Sequence, residues 1–207
     1  MSAGLEPGAD GRPRCWWAVG DPLYESYHDE EWGRGVVDDH RLFEKIVLEG
    51  FQAGLAWITI LRKRERFRAV FAGFHPTVVA AFDESDVERL VGDAGIIRHR
   101  GKIESAISNA SRALEMIEEH GSIAAYVWQW GSGNAAAPRS PSDVPAATDA
   151  STALGKNLKR RGWRFVGPTT VYAFMQAMGL VNDHLAGCWV RKDCEESRSA
   201  ALERFGG

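Results

Sequence analysis

The chain has 207 residues, 44% hydrophobic and 26% charged, with a formal net charge of −3 at pH 7. This is enough chain for one packed domain, and the composition lies outside the disordered classes. No apolar run approaches the roughly 20 residues of a membrane span, and the net charge does not mark a nucleic-acid binder.

Residues 1–14 are rich in glycine, proline and small side chains and lack the apolar stretch of a secretory signal. They are expected to be a flexible leader on a cytoplasmic protein. An aromatic cluster follows: Trp16, Trp17, Tyr24, Tyr27 and Trp32, joined further on by Trp57. Aromatic side chains are core by default. Phe43, Ile46, Val47 and Gly50 share one face of a predicted helix, and Trp57, Ile60 and Leu61 continue on the next. Phe51 is expected to face the core. Glu49 interrupts this apolar run. It either turns to the polar side of its helix or reaches a cavity, because an unpaired buried carboxylate is costly.

Further along, Ser85 and Glu88 have the spacing of a capping box ahead of Val87, Leu90 and Val91. Ile103, Ala106, Ile107, Ala110, Leu114 and Ile117 form a long amphipathic stripe. Residues 131–147 are mostly Gly, Ser, Ala and Pro and read as an exposed loop. Residues 156–161 predict a basic helix and 162–167 a turn. Pro168 then opens a second helix that Gly179 stops. Residues 191–207 read as a polar tail, with Cys194 a bystander. Strict alternation is lacking, so the class is all-α, with one domain over 15–190. Basic residues cluster at 62–64, 98–102 and 156–164, as solvated helix faces or as DNA-facing patches.

Three cysteines do not make a disulfide framework, which leaves metal binding or free thiols. His28 follows Cys15 by thirteen positions, and His184 and Cys188 are spaced i, i+4, so one helical turn could face both at one ion. Two thiolates and two imidazoles make a closed tetrahedral set of the structural zinc type. The other reading of each pair is a buried cysteine beside a core histidine. A shared ion would staple the two ends of the chain together. If Glu49 faces an aromatic cavity, the box suits a flat cationic ring. The π faces attract the charge, and the carboxylate accepts from ring N–H groups. An alkylated purine nucleoside is such a ligand.

Four blocks in order carry a resemblance. They are the stretch from Arg14 through Asp21-Pro22-Leu23-Tyr24 to Tyr27-His28-Asp29-Glu30-Glu31-Trp32-Gly33; then Leu48-Glu49-Gly50-Phe51-Gln52-Ala53-Gly54-Leu55-Ala56-Trp57; then residues 93–103; and last Phe165-Val166-Gly167-Pro168-Thr169-Thr170 through to His184. Together they resemble the bacterial 3-methyladenine DNA glycosylase I family. The resemblance implies a helix-hairpin-helix glycosylase fold with an N-to-C-terminal zinc clasp on Cys15, His28, His184 and Cys188. It implies that Glu49 is catalytic and reads the base. Trp17, Tyr27 and Trp57 would line or stack on that base, with Trp32 nearby. Gly54 and Leu55 would enter the gap left by the flipped nucleotide. Backbone N–H groups at Gly167, Thr169 and Thr170 would meet a phosphate, as a helix N-terminus can; the other reading of this hairpin is an ordinary packing element.

The expected partner is duplex DNA carrying alkylated adenine, the expected product is free 3-methyladenine, and the chain is expected to act as a monomer. Many relatives in the superfamily carry a catalytic Asp after the second hairpin helix. By position this chain has Asn182 there, and Asp183 is expected to point elsewhere. The rival readings are a non-catalytic reader of alkylated bases, a zinc hydrolase of another class, and a zinc-clasped interaction domain. The closed ligand set leaves no open position for a zinc-bound water and disfavours the hydrolase.

Overall fold

Asp21, Asp38 and Asp83 each accept a backbone N–H from the turn that follows, satisfying a donor that a helix start leaves free. The computed structural model describes residues 3–131 and 136–205. In chain order its helices are α1 (Pro22–Glu30), α2 (Asp39–Gln52), α3 (Trp57–Val70), α4 (Pro76–Val79) and α5 (Glu84–Gly92). They continue with α6 (Arg100–His120), α7 (Ile123–Val127), α8 (Asp149–Arg160), α9 (Pro168–Ala177) and α10 (Arg191–Phe205). The strands among the described residues form one short antiparallel hairpin, β1 (Leu5–Pro7) with β2 (Pro13–Cys15). The molecule is mostly helical, as the periodicity predicts. Among the described residues, no helix is long and apolar enough to cross a membrane.

The central element is α2, which packs on α3, α6, α7 and α9. Its Leu42, Phe43, Ile46, Val47 and Phe51 are all buried. Burying an aliphatic or aromatic side chain of this size stabilises the fold by about 1.5–3 kcal/mol. Phe51 lies in the core, 4.7 Å between ring centroids from Phe67. The buried stripe of α6 is Ile103, Ala106, Ala110, Ala113 and Met116. The predicted stripe is thus rotated slightly, with Leu114 at its margin.

α8 and α9 pack against each other across the turn at 162–167, and α9 lies on α2. A Cβ on Gly155 would sit 2.9 Å from the Val166 carbonyl, so the bare glycine lets α8 approach the turn. Pro168 occupies the first turn of α9 as expected, and Gly179 follows its end with a φ of 76°.

Four expectations change. The capping box of α5 is Asp83 with Asp86, two residues before the predicted pair, because the Asp83 carboxylate caps closer to the true start. Residues 1–14 were expected to be flexible; the described part forms the hairpin instead, with Leu5 opposite Cys15 and the Arg12 guanidinium 4.3 Å above the Trp189 ring. The polar tail is α10, with Cys194, Arg198 and Ala201 buried on one side. Within the expected loop, residues 132–135 lie outside the described residues. Pro138, beyond them, is buried and its carbonyl accepts from Ala186 N at 2.7 Å.

Candidate functional site

Cys15 ends β2, His28 lies on α1, and His184 and Cys188 lie in the segment between α9 and α10. Their ligand atoms all fall within 4.8 Å of one another, and all four residues are buried. Sγ of Cys188 lies 3.4 Å from His28 Nε2 and 3.5 Å from His184 Nδ1, and Cys15 Sγ lies 3.8 Å from His184 Nδ1. The i, i+4 spacing of His184 and Cys188 does not come from a helix. The segment is a chain of turns, held where the Arg191 guanidinium donates to the carbonyls of Asn182 and His184.

The outward nitrogens are tied down. His28 Nδ1 lies 2.8 Å from Asp29 Oδ1, and His184 Nε2 lies 3.0 Å from the Trp32 carbonyl. Each imidazole therefore presents its other nitrogen inward, the arrangement in which histidine binds a metal. Hydrogen bonding from Cys15, and then from the two imidazoles, drives the Cys188 thiol far toward its thiolate. Burial pulls the His184 imidazole down, toward its neutral form. Buried thiolate and neutral imidazole are ligand states, so this donor set fits a soft or borderline cation. Gly33 leaves room for the His184 ring: its φ is 82°, and a Cβ there would sit 2.8 Å from His184 Nε2. Cys194 is buried but is not one of the four; its thiol faces the Trp32 carbonyl at 3.7 Å.

A cavity of about 470 Å³ opens beside this cluster, lined among others by Trp17, Tyr24, Tyr27, Trp32, Glu49 and Trp57. Two of its walls rest on the histidines. Trp17 packs edge-on to His28 at 5.3 Å, and Trp32 to His184 at 4.6 Å. Trp17 also meets Trp32 at 5.1 Å, and Tyr27 meets Trp57 at 5.5 Å. Tyr24 accepts from the backbone N–H of Ile58 at 2.9 Å, which fixes the start of α3 and with it Trp57.

Glu49 is 5% exposed and lines this cavity, so it is not on the polar side of its helix. Lys45, one turn earlier and also buried, holds it at 2.7 Å from Nζ to Oε1 and donates to Tyr27 Oη at 2.8 Å. The sequence reading did not use Lys45, although the i, i+4 spacing on a helix signals such a pair. Burial, and then the Glu49 charge, raise Tyr27 well above the usual phenol range, so it remains a neutral donor.

Asn182 turns away from the aromatics, its amide donating to the Arg191 carbonyl and to Glu195. Asp183 was expected to point elsewhere, yet it lines the cavity. Its Oδ2 accepts from Tyr172 at 2.5 Å and from Gln176 at 2.8 Å. In an irregular segment one residue's shift does not carry the fixed rotation it has in a helix, which is why the sequence misplaced these two.

Gly54 and Leu55 fill the turn between α2 and α3, with Leu55 40% exposed. Lys102 is buried and donates to the Phe51 and Ala53 carbonyls at 2.9 and 2.7 Å, so it braces this turn from within. Arg100 is tied to Glu84 and Glu88, and Arg98 is exposed. Gly167 precedes α9, and Thr169 and Thr170 lie in its first turn, where no side chain caps the backbone donors.

A helical scaffold thus sets a carboxylate among aromatic walls, beside a buried Cys/His cluster. The family model for methyladenine glycosylase matches residues 17–192. DNA-3-methyladenine glycosylase 1 of Escherichia coli is 53% identical over 177 residues, 84% of this chain and 95% of that protein. A crystal structure of 3-methyladenine DNA glycosylase I superposes with a TM-score of 0.81 at 53% identity, covering 85% of this chain and 98% of that one. Another, describing 3-methyladenine recognition by the Staphylococcus aureus protein, gives 0.81 at 35% identity, covering 84% and 94%. The chain belongs to the methyladenine glycosylase family.

Proposed function

We propose that this chain is a DNA repair glycosylase that hydrolyses the N-glycosidic bond of 3-methyladenine in alkylated duplex DNA. It acts as a monomer by base flipping and leaves an abasic site. The observation that carries this reading is the buried Glu49 lining an aromatic cavity of about 470 Å³.

A 3-methylated adenine is cationic in DNA, so it departs as a neutral base, taking the bonding electrons without first being protonated. Water adds to the sugar carbon and loses a proton. The protein's residues extrude the nucleotide, hold the ring and shield it. Extrusion costs a few kcal/mol, least where pairing is already damaged. Glu49 accepts from the ring's N–H edge, Tyr27 donates to a ring nitrogen, Trp57 stacks on the ring, and Trp17 and Trp32 close the sides. Asp183 places a second negative charge at the cavity, where positive charge develops on the sugar.

Leu55 with Gly54 fills the gap in the duplex. α8, the turn at 162–167 and α9 form the helix-hairpin-helix element, whose N–H groups at Gly167, Thr169 and Thr170 hold a phosphate without reading sequence. Cys15, His28, His184 and Cys188 hold one zinc ion. It supplies cross-linking of the two chain ends, not chemistry, because four protein ligands fill its coordination.

Turnover tests the reading against that of a non-catalytic reader. With methylated duplex in excess, abasic sites detected by alkaline strand cleavage are expected to exceed one per protein molecule many times over. Binding to the same duplex with no abasic sites would overturn the enzyme.

A further inference from the structure

Lys45 is a buried cation that no step above uses. It is 6% exposed, and its ammonium makes three contacts: Glu49 Oε1 at 2.7 Å, Tyr27 Oη at 2.8 Å, and the face of Trp57 at 3.3 Å from the ring centroid. Those three partners line the cavity, and Lys45 does not; it lines a small recess behind the wall. One ammonium therefore reaches three members of the site from the rear.

Each contact has a chemical consequence. A carboxylate buried without a partner protonates, and an ammonium at ion-pair distance keeps it charged. A phenol oxygen that accepts from an ammonium has one proton of its own, which must be donated elsewhere. A cation on one face of an indole fixes that ring and leaves the opposite face for stacking.

The other charges near the recess are largely paired among themselves. Glu31, just past the end of α1, is bridged to Arg64 of α3, and Glu44 of α2 to Arg68 of α3. Arg41 also borders the recess, while Tyr24 and Asp183 face Glu49 from within the cavity. Among the described residues, Glu49 forms its ion pair with Lys45. Burial pulls the Lys45 ammonium down, and the Glu49 charge pulls it back up.

We propose that Lys45 is a positioning residue for the reaction: from behind the wall it keeps Glu49 ionised and aims the Tyr27 hydroxyl proton at the bound base. This rests on reading the cavity as the base pocket.

The test reads the pH profile of excision together with the titration of the Glu49 carboxyl. The carboxyl is followed by NMR of protein carrying carbon-13 glutamate and assigned with Glu49→Gln. In Lys45→Met, with similar length and no charge, the Glu49 titration is expected to move up by about one pH unit or more. The acid limb of kcat/KM should move with it, a loss approaching tenfold for each pH unit it moves, at pH values on the acid side of the limb. Lys45→Arg keeps the charge and should return the limb toward its original position; if Lys45→Met does not fold, this variant is read alone. An unmoved Glu49 titration in Lys45→Met, or a limb that rises as far in Lys45→Arg, would overturn the proposal. The titration needs no substrate, so a shifted Glu49 in a protein that excises nothing would sink the base-pocket reading and leave the positioning intact.

Discussion

Glu49→Gln retains the helical fold and loses most of its excision activity. In the proposed complex the carboxylate accepts from a cationic ring, and hydrogen bonds to charged groups are worth roughly 1.5–3 kcal/mol. The variant's kcat/KM should therefore fall on the order of 10²-fold. The fold survives because the amide oxygen still accepts from Lys45, and because burial already favours shedding the Lys45 proton. Some stability is lost, since breaking a buried ion pair costs about 3–5 kcal/mol at most. The double variant Lys45→Met/Glu49→Gln removes both members, so it should regain melting temperature without regaining activity. Steady-state kinetics beside calorimetry checks both halves. Wild-type kinetics in Glu49→Gln would remove this residue from the site.

Cys188→Ser has the second large effect. Metal analysis of the unmodified chain should give about one zinc per molecule, as four protein ligands require, and the variant should give little. Structural zinc contributes folding free energy directly, and here it would join residues as far apart as Cys15 and Cys188. A loss of about 3–5 kcal/mol lowers the melting temperature of a chain this size by roughly 10 °C. Activity should fall as well, because Trp17 and Trp32 pack directly on His28 and His184. Bound ligands must be deprotonated, so metal should also leave as the pH falls. A metal-free chain with unchanged melting would contradict the clasp.

What the sequence made legible follows from how far each signal reaches. Helical period marked the face of α2 and Pro168 the start of α9, because those depend on neighbours within a few residues. The Cys/His set was legible as residue types, and its convergence is now seen in one cluster within 4.8 Å. The reason given for His184 and Cys188 was wrong, since turns rather than a helix bring them together. Asn182 and Asp183 exchanged places for the same reason: their directions come from the Arg191 contacts and the Tyr172 hydrogen bond, which lie outside any local pattern. The β1–β2 hairpin was missed because its strands are three residues each and rich in proline and charge. Lys45 was legible by spacing and was passed over because lysines are seldom buried.

The most direct measurement is the identity of the bases released from methylated duplex DNA, separated by chromatography. The account predicts 3-methyladenine with little 7-methylguanine, because Glu49 and Tyr27 face one hydrogen-bonding edge within a cavity of about 470 Å³. Equal release of both bases, or of 7-methylguanine alone, would contradict it.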